Sequence, residues 1–304
     1  MANEVCVNCG QPATYRTMTQ AANTDFYCEF HGKKSYPNGG LMRLDEEQPP
    51  ATVLPPGSGQ TDTSLIMRGG GEVEDSRLGR VVQFDERSRS FPMTELIAEL
   101  EPAKAYKPRS HTWNCGVHLD QGQEGSCVGH AWAHELVAPP VVIEGIDHDF
   151  ARWIYKTAQK YDQWAGEAYE GTSTLAGAKV CAGRPPKMAE GRGLIGEYRW
   201  IFGDMDELIK TLGYFGPVVL GTNWYAGMMN TDKDGFVRKT GSLMGGHCIL
   251  IKGVTLTKKA VRLHQSWGES WGQGGDAWLS FADLEALLGE QGELCVPVHR
   301  KEWG

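Results

Sequence analysis

Three segments of the chain contain residue types that can carry out nucleophilic chemistry on a carbonyl group. In the first, residues 119–133, a glycine-rich turn delivers Cys127 to the predicted start of a helix. There the helix dipole and the free backbone N–H groups favour the thiolate over the thiol. The turn also lets the Cys127 N–H point at a developing oxyanion, and Gln121 can add a side-chain amide donor. These residues predict an activated nucleophile beside an oxyanion site.

The second and third segments supply a base and a group that can orient it. His247 enters an apolar stretch directly after two glycines, which presents an imidazole at a strand edge with little steric cover. Gln265 stands two residues before Trp267. The Gln265 amide oxygen can accept a hydrogen bond from the base and hold its tautomer, while the indole excludes water. The three segments together predict acyl transfer through a covalent intermediate on Cys127.

Each of these residues has a plainer interpretation when it is taken alone. Cys127 could be a buried structural thiol, since free cysteine is commonly buried, and His247 could be a hydrogen-bonded core histidine. His130 and His134 lie at i and i+4 on the predicted helix and could form a metal pair. A catalytic zinc site normally needs a third ligand and a general base, so packing or exposure is favoured. Four other cysteines show no paired spacing and are predicted to be core or incidental: Cys115, Cys181, Cys248 and Cys295.

A second set of chemically capable residues lies near the N-terminus. Cys6 and Cys9 form one short pair, and Cys28 and His31 form another after an 18-residue gap. Two such pairs fit tetrahedral Zn²⁺ with thiolate and imidazole ligands. A segment of about 40 residues is also too small to fold well without such a staple. The pattern predicts a zinc-ribbon-like module over residues 1–42, with a structural zinc ion and a docking role towards a protein partner.

Composition narrows the class of protein. The 304 residues are 40% hydrophobic and 22% charged, which is ordinary for a globular protein. The net charge of −8 argues against general nucleic-acid binding, which usually needs a basic face. No stretch approaches the roughly 20 apolar residues of a membrane span, and the first residues lack the pattern of a signal peptide. We therefore expect a cytoplasmic protein whose eight cysteines serve as metal ligands, a nucleophile and buried thiols.

The elements that must position these residues follow from periodicity and turn signals. Residues 43–76 are rich in proline and glycine and are predicted to be a flexible linker, followed by a globular domain over residues 77–304. Predicted helices cover residues 91–100, 127–137 and 149–161, and a capping box at Asp204 opens another. Predicted strands cover residues 217–221, 248–254, 261–267 and 277–280. Helices first and strands later predict an α+β domain with a helical half and an antiparallel sheet or barrel half.

Taken together, the three catalytic-type segments resemble the papain-like cysteine peptidases over roughly residues 105–280. The nucleophile segment of that family reads Gln-Gly-x-Cys-Gly-Ser-Cys-Trp, and residues 121–128 here read Gln-Gly-Gln-Glu-Gly-Ser-Cys-Val. The family's histidine strand and its Asn-Ser-Trp-Gly-x-x-Trp-Gly segment match residues 246–247 and 265–272. The chain looks most like compact papain-like proteins of tailed bacteriophages and some bacteria, which would place it in the host cytoplasm or the virion.

The resemblance implies a two-lobed fold and a polypeptide substrate. It implies that Cys127 is the nucleophile, His247 the acid and base, Gln121 an oxyanion donor and Gln265 the orienting amide. By the same resemblance the substrate would contact three further residues: Gly171, Thr172 and Trp267. An ordinary turn is the alternative for Gly171 and Thr172. The alternative function is a binding or virion structural protein with little turnover, because fold alone does not guarantee activity.

Three departures from the family pattern are visible. Glu124 stands where secreted relatives have a disulfide-forming cysteine, which favours a reducing compartment. Val128 replaces a tryptophan in the cleft wall, and Gln265 is one methylene longer than the usual asparagine. The sequence leaves open whether residues 77–110 cover the cleft as a pro-segment or pack on the domain.

Overall fold

The computed structural model describes residues 75–84, 91–101, 105–161, 170–183 and 194–298, together with three short strands nearer the N-terminus. The chain divides into two compact units, Met1–Thr61 and Asp62–Gly304. In the first unit, β1 (Tyr15–Thr17), β2 (Phe26–Tyr27) and β3 (Leu41–Arg43) form an antiparallel sheet in the order β2-β1-β3. The predicted zinc ligands lie outside the described residues: Cys6, Cys9, Cys28 and His31. So does most of the predicted linker.

Helices make up one side of the second unit. The first helix of the chain, α1 (Met93–Leu100), packs into the core of the other side, and the three helices on this side are α2 (Cys127–Leu136), α3 (His148–Ala158) and α4 (Thr174–Ala182). Every residue of α2 is buried, because α3 and α4 pack on it from one side and the sheet from the other. Asp147 and Ser173 cap α3 and α4 by accepting a backbone N–H with their side chains. The central α2 is therefore held rigidly, with its first residue at the boundary between helices and sheet.

A seven-stranded antiparallel sheet makes up the other side. Its strands are β4 (His111–Thr112), β5 (Glu197–Ile201), β6 (Val218–Tyr225), β7 (Leu243–Thr255), β8 (Ala260–His264), β9 (Asp276–Ser280) and β10 (Glu293–Val298). The order is β5-β10-β6-β7-β8-β9, and β4 pairs with β7. Two further helices, α5 (Met205–Tyr214) and α6 (Phe281–Leu288), belong to this half.

Alternation along the central strands builds two separate cores. On β7, Cys248 and Leu250 join the cluster formed by α2, α3 and α4, whereas Ile249 and Ile251 join the cluster that contains α1, α5 and α6. This follows from the period of two along a strand, which sends successive side chains to opposite faces of the sheet. His247 lies in the first half of β7, opposite Thr222 of β6, and its position in the alternation is that of Ile249.

The predicted α+β architecture is confirmed, and the elements differ from prediction in detail. The Asp204 carboxylate accepts the N–H groups of Asp206 and Glu207, so it caps α5 as expected. The Glu207 carboxyl hydrogen-bonds to Thr94 instead of returning to the cap, so the capping box is half formed. The predicted strand over residues 261–267 ends at His264. In the second unit, five of the elements named above were not predicted: α4, α6, β4, β5 and β10. Among the described residues, no helix is both long and apolar enough to cross a membrane.

Candidate active site

Cys127 is the first residue of α2 and is fully buried. Its N-cap residue, Ser126, makes no side-chain capping bond, so the first N–H groups of the helix are not consumed by a cap. Burial raises the pKa of the Cys127 thiol to about 11, although backbone hydrogen bonds from Gly79, Cys248 and Val128 favour the thiolate. The sulfur therefore lies among backbone donors but is a neutral thiol in this arrangement.

His247 lies on β7 with its protonation state set by its neighbours. Its Nε2 is 2.7 Å from Oε1 of Gln265, and the same Oε1 accepts the Ser266 N–H at 3.0 Å. An atom that accepts the Ser266 N–H is the amide oxygen, so Nε2 of His247 must carry the proton. Nδ1 is then the proton-accepting nitrogen, and it is buried with no hydrogen-bonding partner among the described residues. Burial lowers the pKa of His247 to about 4, which keeps the ring neutral.

Two tryptophans shield this pair from water. The Trp224 ring centroid lies 4.8 Å from that of His247, edge to face, and the Trp267 centroid lies 5.1 Å away. Both indoles are 5% exposed or less. A low-dielectric wall of this kind strengthens the hydrogen bond between the base and its orienting amide.

Gln121 presents its amide nitrogen to the cleft. Its Oε1 accepts the Ser266 hydroxyl at 2.7 Å, so its Nε2 is turned the other way. That nitrogen donates to the carbonyl oxygens of Arg77, at 2.8 Å, and Glu124, at 2.7 Å. A side-chain donor near the nucleophile is the geometry that stabilises an oxyanion. Here the position is filled by a carbonyl group of the chain itself.

Residues 75–84 run through the cleft and occupy it. Arg80 donates its backbone N–H to Gly246 O at 3.0 Å, next to the histidine. Thr172 donates to Gly79 O at 2.9 Å and accepts from Val81 N at 2.9 Å, which makes a parallel bridge. These backbone bonds hold the segment between the two halves of the domain, above the buried sulfur.

Glycines make this close approach possible. A Cβ added to Gly79 would lie 1.9 Å from Gly125 O, and one added to Gly171 would lie 2.3 Å from Gly79 O. Gly171 also has φ +94, which side chains rarely adopt. Gly171 and Thr172, predicted to line the cleft, do contact the chain that fills it. Trp267 does so too, because the Arg77 guanidinium stacks 4.0 Å from its ring centroid.

Comparison with known proteins agrees with this arrangement. The chain is similar to xylellain, a cysteine protease from Xylella fastidiosa, at 20% identity and a TM-score of 0.56, over 75% of this chain and 98% of that one. This domain has the papain-like fold. The similarity is lower to proCathepsin B S9 from Trypanosoma congolense (12% identity, TM-score 0.47, 73% and 87% covered) and to procathepsin L2 from Tenebrio molitor larval midgut (16%, 0.47, 75% and 80%). No family model and no curated sequence matches the chain.

Within this papain-like fold, one expectation about Cys127 is wrong for the arrangement observed. The sequence predicted a thiolate, because helix starts favour it. The segment over the cleft leaves the sulfur without contact to solvent, and desolvation outweighs the backbone donors. Residues 77–110, which the sequence left as either a cleft-covering segment or a packed part of the domain, divide between the two roles. Residues 77–81 cover the cleft, whereas α1 packs its Met93, Leu96 and Ile97 into the second core.

The other polar residues singled out in the sequence make structural hydrogen bonds or ion pairs. His130 Nδ1 lies 3.0 Å from Ser126 O, and His134 Nε2 accepts the Leu119 N–H at 2.9 Å, so each makes a structural hydrogen bond. No group of three potential metal ligands occurs within the part of the chain that the structure describes. Glu124, at the family's bridging position, forms ion pairs with Arg152 at 3.0 Å and Lys156 at 3.6 Å. The described cysteines are all free: Cys115, Cys127, Cys181, Cys248 and Cys295.

Sequence reasoning missed three participants. Ser266 was visible in its motif but received no role, and it joins the Gln121 and Gln265 amides. Arg80 and Glu293 form a buried ion pair at 2.8 Å across 213 residues of sequence. No local signal marks a pair separated so far, because neither residue lies in a recognisable motif.

Proposed function

We propose that the chain is a cysteine peptidase that hydrolyses peptide bonds, or closely related isopeptide bonds, through an acyl-enzyme on Cys127. The observation that carries this proposal is the hydrogen bond from His247 Nε2 to Gln265, which leaves Nδ1 unprotonated. The histidine is also placed beside the nucleophile, because the N–H of the next residue, Cys248, reaches the Cys127 sulfur.

The chemistry follows from these positions. The Cys127 sulfur attacks the substrate carbonyl carbon, and its proton passes to Nδ1 of His247. Gln121 Nε2 and the Cys127 N–H stabilise the resulting oxyanion. The C–N bond then breaks as His247 returns the proton to the leaving amine. A water molecule, deprotonated by His247, attacks the acyl-enzyme, and the acid product leaves as the thiol regains its proton. Gln265 holds the imidazole in the required tautomer throughout.

The observed arrangement is proposed to be a closed, inactive form. The carbonyl oxygen of Arg77 accepts the hydrogen bond of Gln121 Nε2, so the oxyanion position is filled. The Gly79 N–H, and not a carbonyl carbon, faces the sulfur, so the segment is not placed for attack. Activity therefore requires that residues 75–84 leave the cleft.

The variant Gly79→Ala tests this function. Its new Cβ cannot fit against Gly125 O, so the segment should be displaced. We expect faster alkylation of Cys127 by iodoacetamide at neutral pH and cleavage of a peptide mixture, both abolished by a second change, Cys127→Ala. Gly289→Ala is the matched control, because an added Cβ there lies 3.5 Å from its nearest neighbour. A displaced segment without labelling or cleavage would reject the peptidase and favour a binding scaffold.

For the N-terminal unit we propose one structural zinc ion, held by Cys6, Cys9, Cys28 and His31. The donor set of three thiolates and one imidazole suits tetrahedral zinc and would supply folding energy to a small module. The unit spans only Met1–Thr61, and a chain of this length rarely buries enough apolar surface to fold stably on a core alone. We propose that it docks on a protein partner.

We further propose a reducing, cytoplasmic location, in the host or virion if the chain is phage-encoded. The free described cysteines and the ion-paired Glu124 support it.

A further inference from the structure

Arg80 of the covering segment places its side chain in a buried acidic pocket. The side chains of Arg80 and Glu293 are 0% and 3% exposed. Nε and Nη2 of Arg80 lie 3.1 and 2.8 Å from the same carboxylate oxygen, Oε1, and Nη2 also donates to Gln291 O at 2.7 Å. The pocket thus recognises the guanidinium by charge and by geometry.

The walls of the pocket leave room for this group. Glu293 begins β10 beside Gly221 of β6. A Cβ on Gly221 would lie 2.4 Å from Thr174 Oγ1, 2.7 Å from Glu293 Oε1 and 2.9 Å from Arg80 Nε. A glycine at this point therefore keeps open the space that the guanidinium fills.

The pocket opens into the cleft at the catalytic residues. The Arg80 backbone N–H is bound by Gly246 O, adjacent to His247, and the residues on either side of Arg80 pair with Thr172. The preceding residue, Gly79, donates to the Cys127 sulfur. A peptide lying in this cleft would therefore direct one side chain into the pocket, within about two residues of the bond that is cleaved.

Departure of the segment leaves Glu293 without its cation. Water then meets this carboxylate in the pocket, and a cationic side chain that fills the pocket would displace the water and restore the ion pair, so the open cleft favours a ligand that returns a positive charge. Oε2 of Glu293 is buried and has no hydrogen-bonding partner among the described residues. It can accept a further N–H, so a ligand arginine using both oxygens would be held more firmly than Arg80.

We infer that this cleft selects polypeptides with arginine or lysine at a fixed position within two residues of the scissile bond, and that Glu293 determines the selection. This inference rests on the proposed peptidase function. Arg80 then occupies the pocket that a substrate side chain would fill. The covering segment need not run through the cleft in the same direction as a substrate.

The test uses the full chain carrying Gly79→Ala. Digestion of a peptide mixture, read by mass spectrometry, should show basic residues enriched at one position near the cleaved bonds. Peptides that differ only by arginine, citrulline or leucine at that position then give the ratios of kcat/KM. Citrulline is a neutral analogue of similar shape, so it tests the charge without altering the protein. We expect arginine to exceed citrulline by at least about tenfold, as for a desolvated charge pair.

The protein side is tested by Glu293→Gln, which should reduce the ratio of arginine to leucine at least about tenfold. Glu144→Gln, which removes an exposed carboxylate between α2 and α3, should leave that ratio unchanged. Equal cleavage of the arginine and citrulline peptides, or a ratio that survives Glu293→Gln, would overturn the inference while leaving the peptidase function intact. Absence of both cleavage and Cys127 labelling would reject the peptidase function, and the inference with it.

Discussion

A single serine couples the two amides of the site. The Ser266 hydroxyl donates to Gln121 Oε1, and its backbone N–H donates to Gln265 Oε1. One residue therefore sets which end of each amide faces the cleft: nitrogen towards the oxyanion position, oxygen towards the base. The hydroxyl can be removed by mutation while the backbone N–H stays, so the two functions of Ser266 are separable.

We predict that Ser266→Ala, in the Gly79→Ala chain, lowers kcat by up to about tenfold, the worth of one net hydrogen bond. KM should change little, because Ser266 orients Gln121 and does not touch the substrate. Gln121→Ala should cost about 10²–10³ in kcat, since it removes an oxyanion donor. In a chain that already carries Gln121→Ala, adding Ser266→Ala should have no further effect on kcat. Steady-state kinetics of the four chains decide this, and additive losses would mean that Ser266 acts by another route.

At the level of residues, the sequence predicted the site where local chemistry marks it. Cys127 follows a glycine-rich turn and His247 follows two glycines, so motif and backbone give the same indication. The ion pair between Arg80 and Glu293 was not predicted, because two residues so far apart in sequence form no recognisable spacing. The neutral state of the Cys127 thiol was not predicted for a related reason. It depends on burial by a segment that lies almost fifty residues away in sequence.

The segment over residues 75–84 is the element that decides the state of the site. It makes backbone bonds to both halves of the cleft, at Gly246 and Thr172. It also removes solvent from two titratable groups, so its departure and their ionisation are linked. The pKa of His247, lowered to about 4, would rise towards 6.5 once the ring regains water.

This linkage predicts that acid opens the cleft. The open form binds more protons between pH 6.5 and about 4, so falling pH shifts the equilibrium towards it over this window. Full recovery of the ordinary pKa corresponds to about 3 kcal/mol at the acid end. Amide hydrogen exchange at Arg80 and Val81, corrected for the intrinsic pH dependence, should accelerate as the pH falls from 6.5 to 4.

The control for acid opening is a residue that cannot take up the proton. His247→Gln should flatten the pH dependence of exchange at Arg80 and Val81. Burial also lowers the pKa of His130 to about 4. This histidine bonds to Ser126 at the start of α2 and not to the covering segment, so His130→Gln should preserve the pH dependence of exchange. Acceleration that persists in His247→Gln would assign the opening to another group.

At the level of the whole molecule, the sheet separates the two cores, and the cleft lies where the helical half meets the sheet half. Composition and periodicity predicted a helical half and a sheet half, and the central strands fell where the apolar runs are. β5 and β10 at one end of the sheet were missed. β10 contains Pro297, which interrupts a strand pattern and is tolerated here in pairing with β5. That omission concealed the acidic pocket, because Glu293 is the first residue of β10.

The separate N-terminal unit, Met1–Thr61, leads to a prediction about metal removal. We expect one zinc ion per chain, and Cys6→Ser should lose it, because a tetrahedral site with one ligand missing binds zinc far more weakly. His130→Ala is the matched control and should retain the metal, since His130 is bonded within α2.

Catalysis should not depend on the zinc, because the cleft residues all belong to Asp62–Gly304. In the Gly79→Ala chain, Cys6→Ser should therefore keep its kcat/KM on a short peptide while metal analysis shows the zinc lost. Loss of zinc in His130→Ala with retention in Cys6→Ser would place the metal on α2, and an equal loss of kcat/KM in Cys6→Ser would show that the two units are coupled.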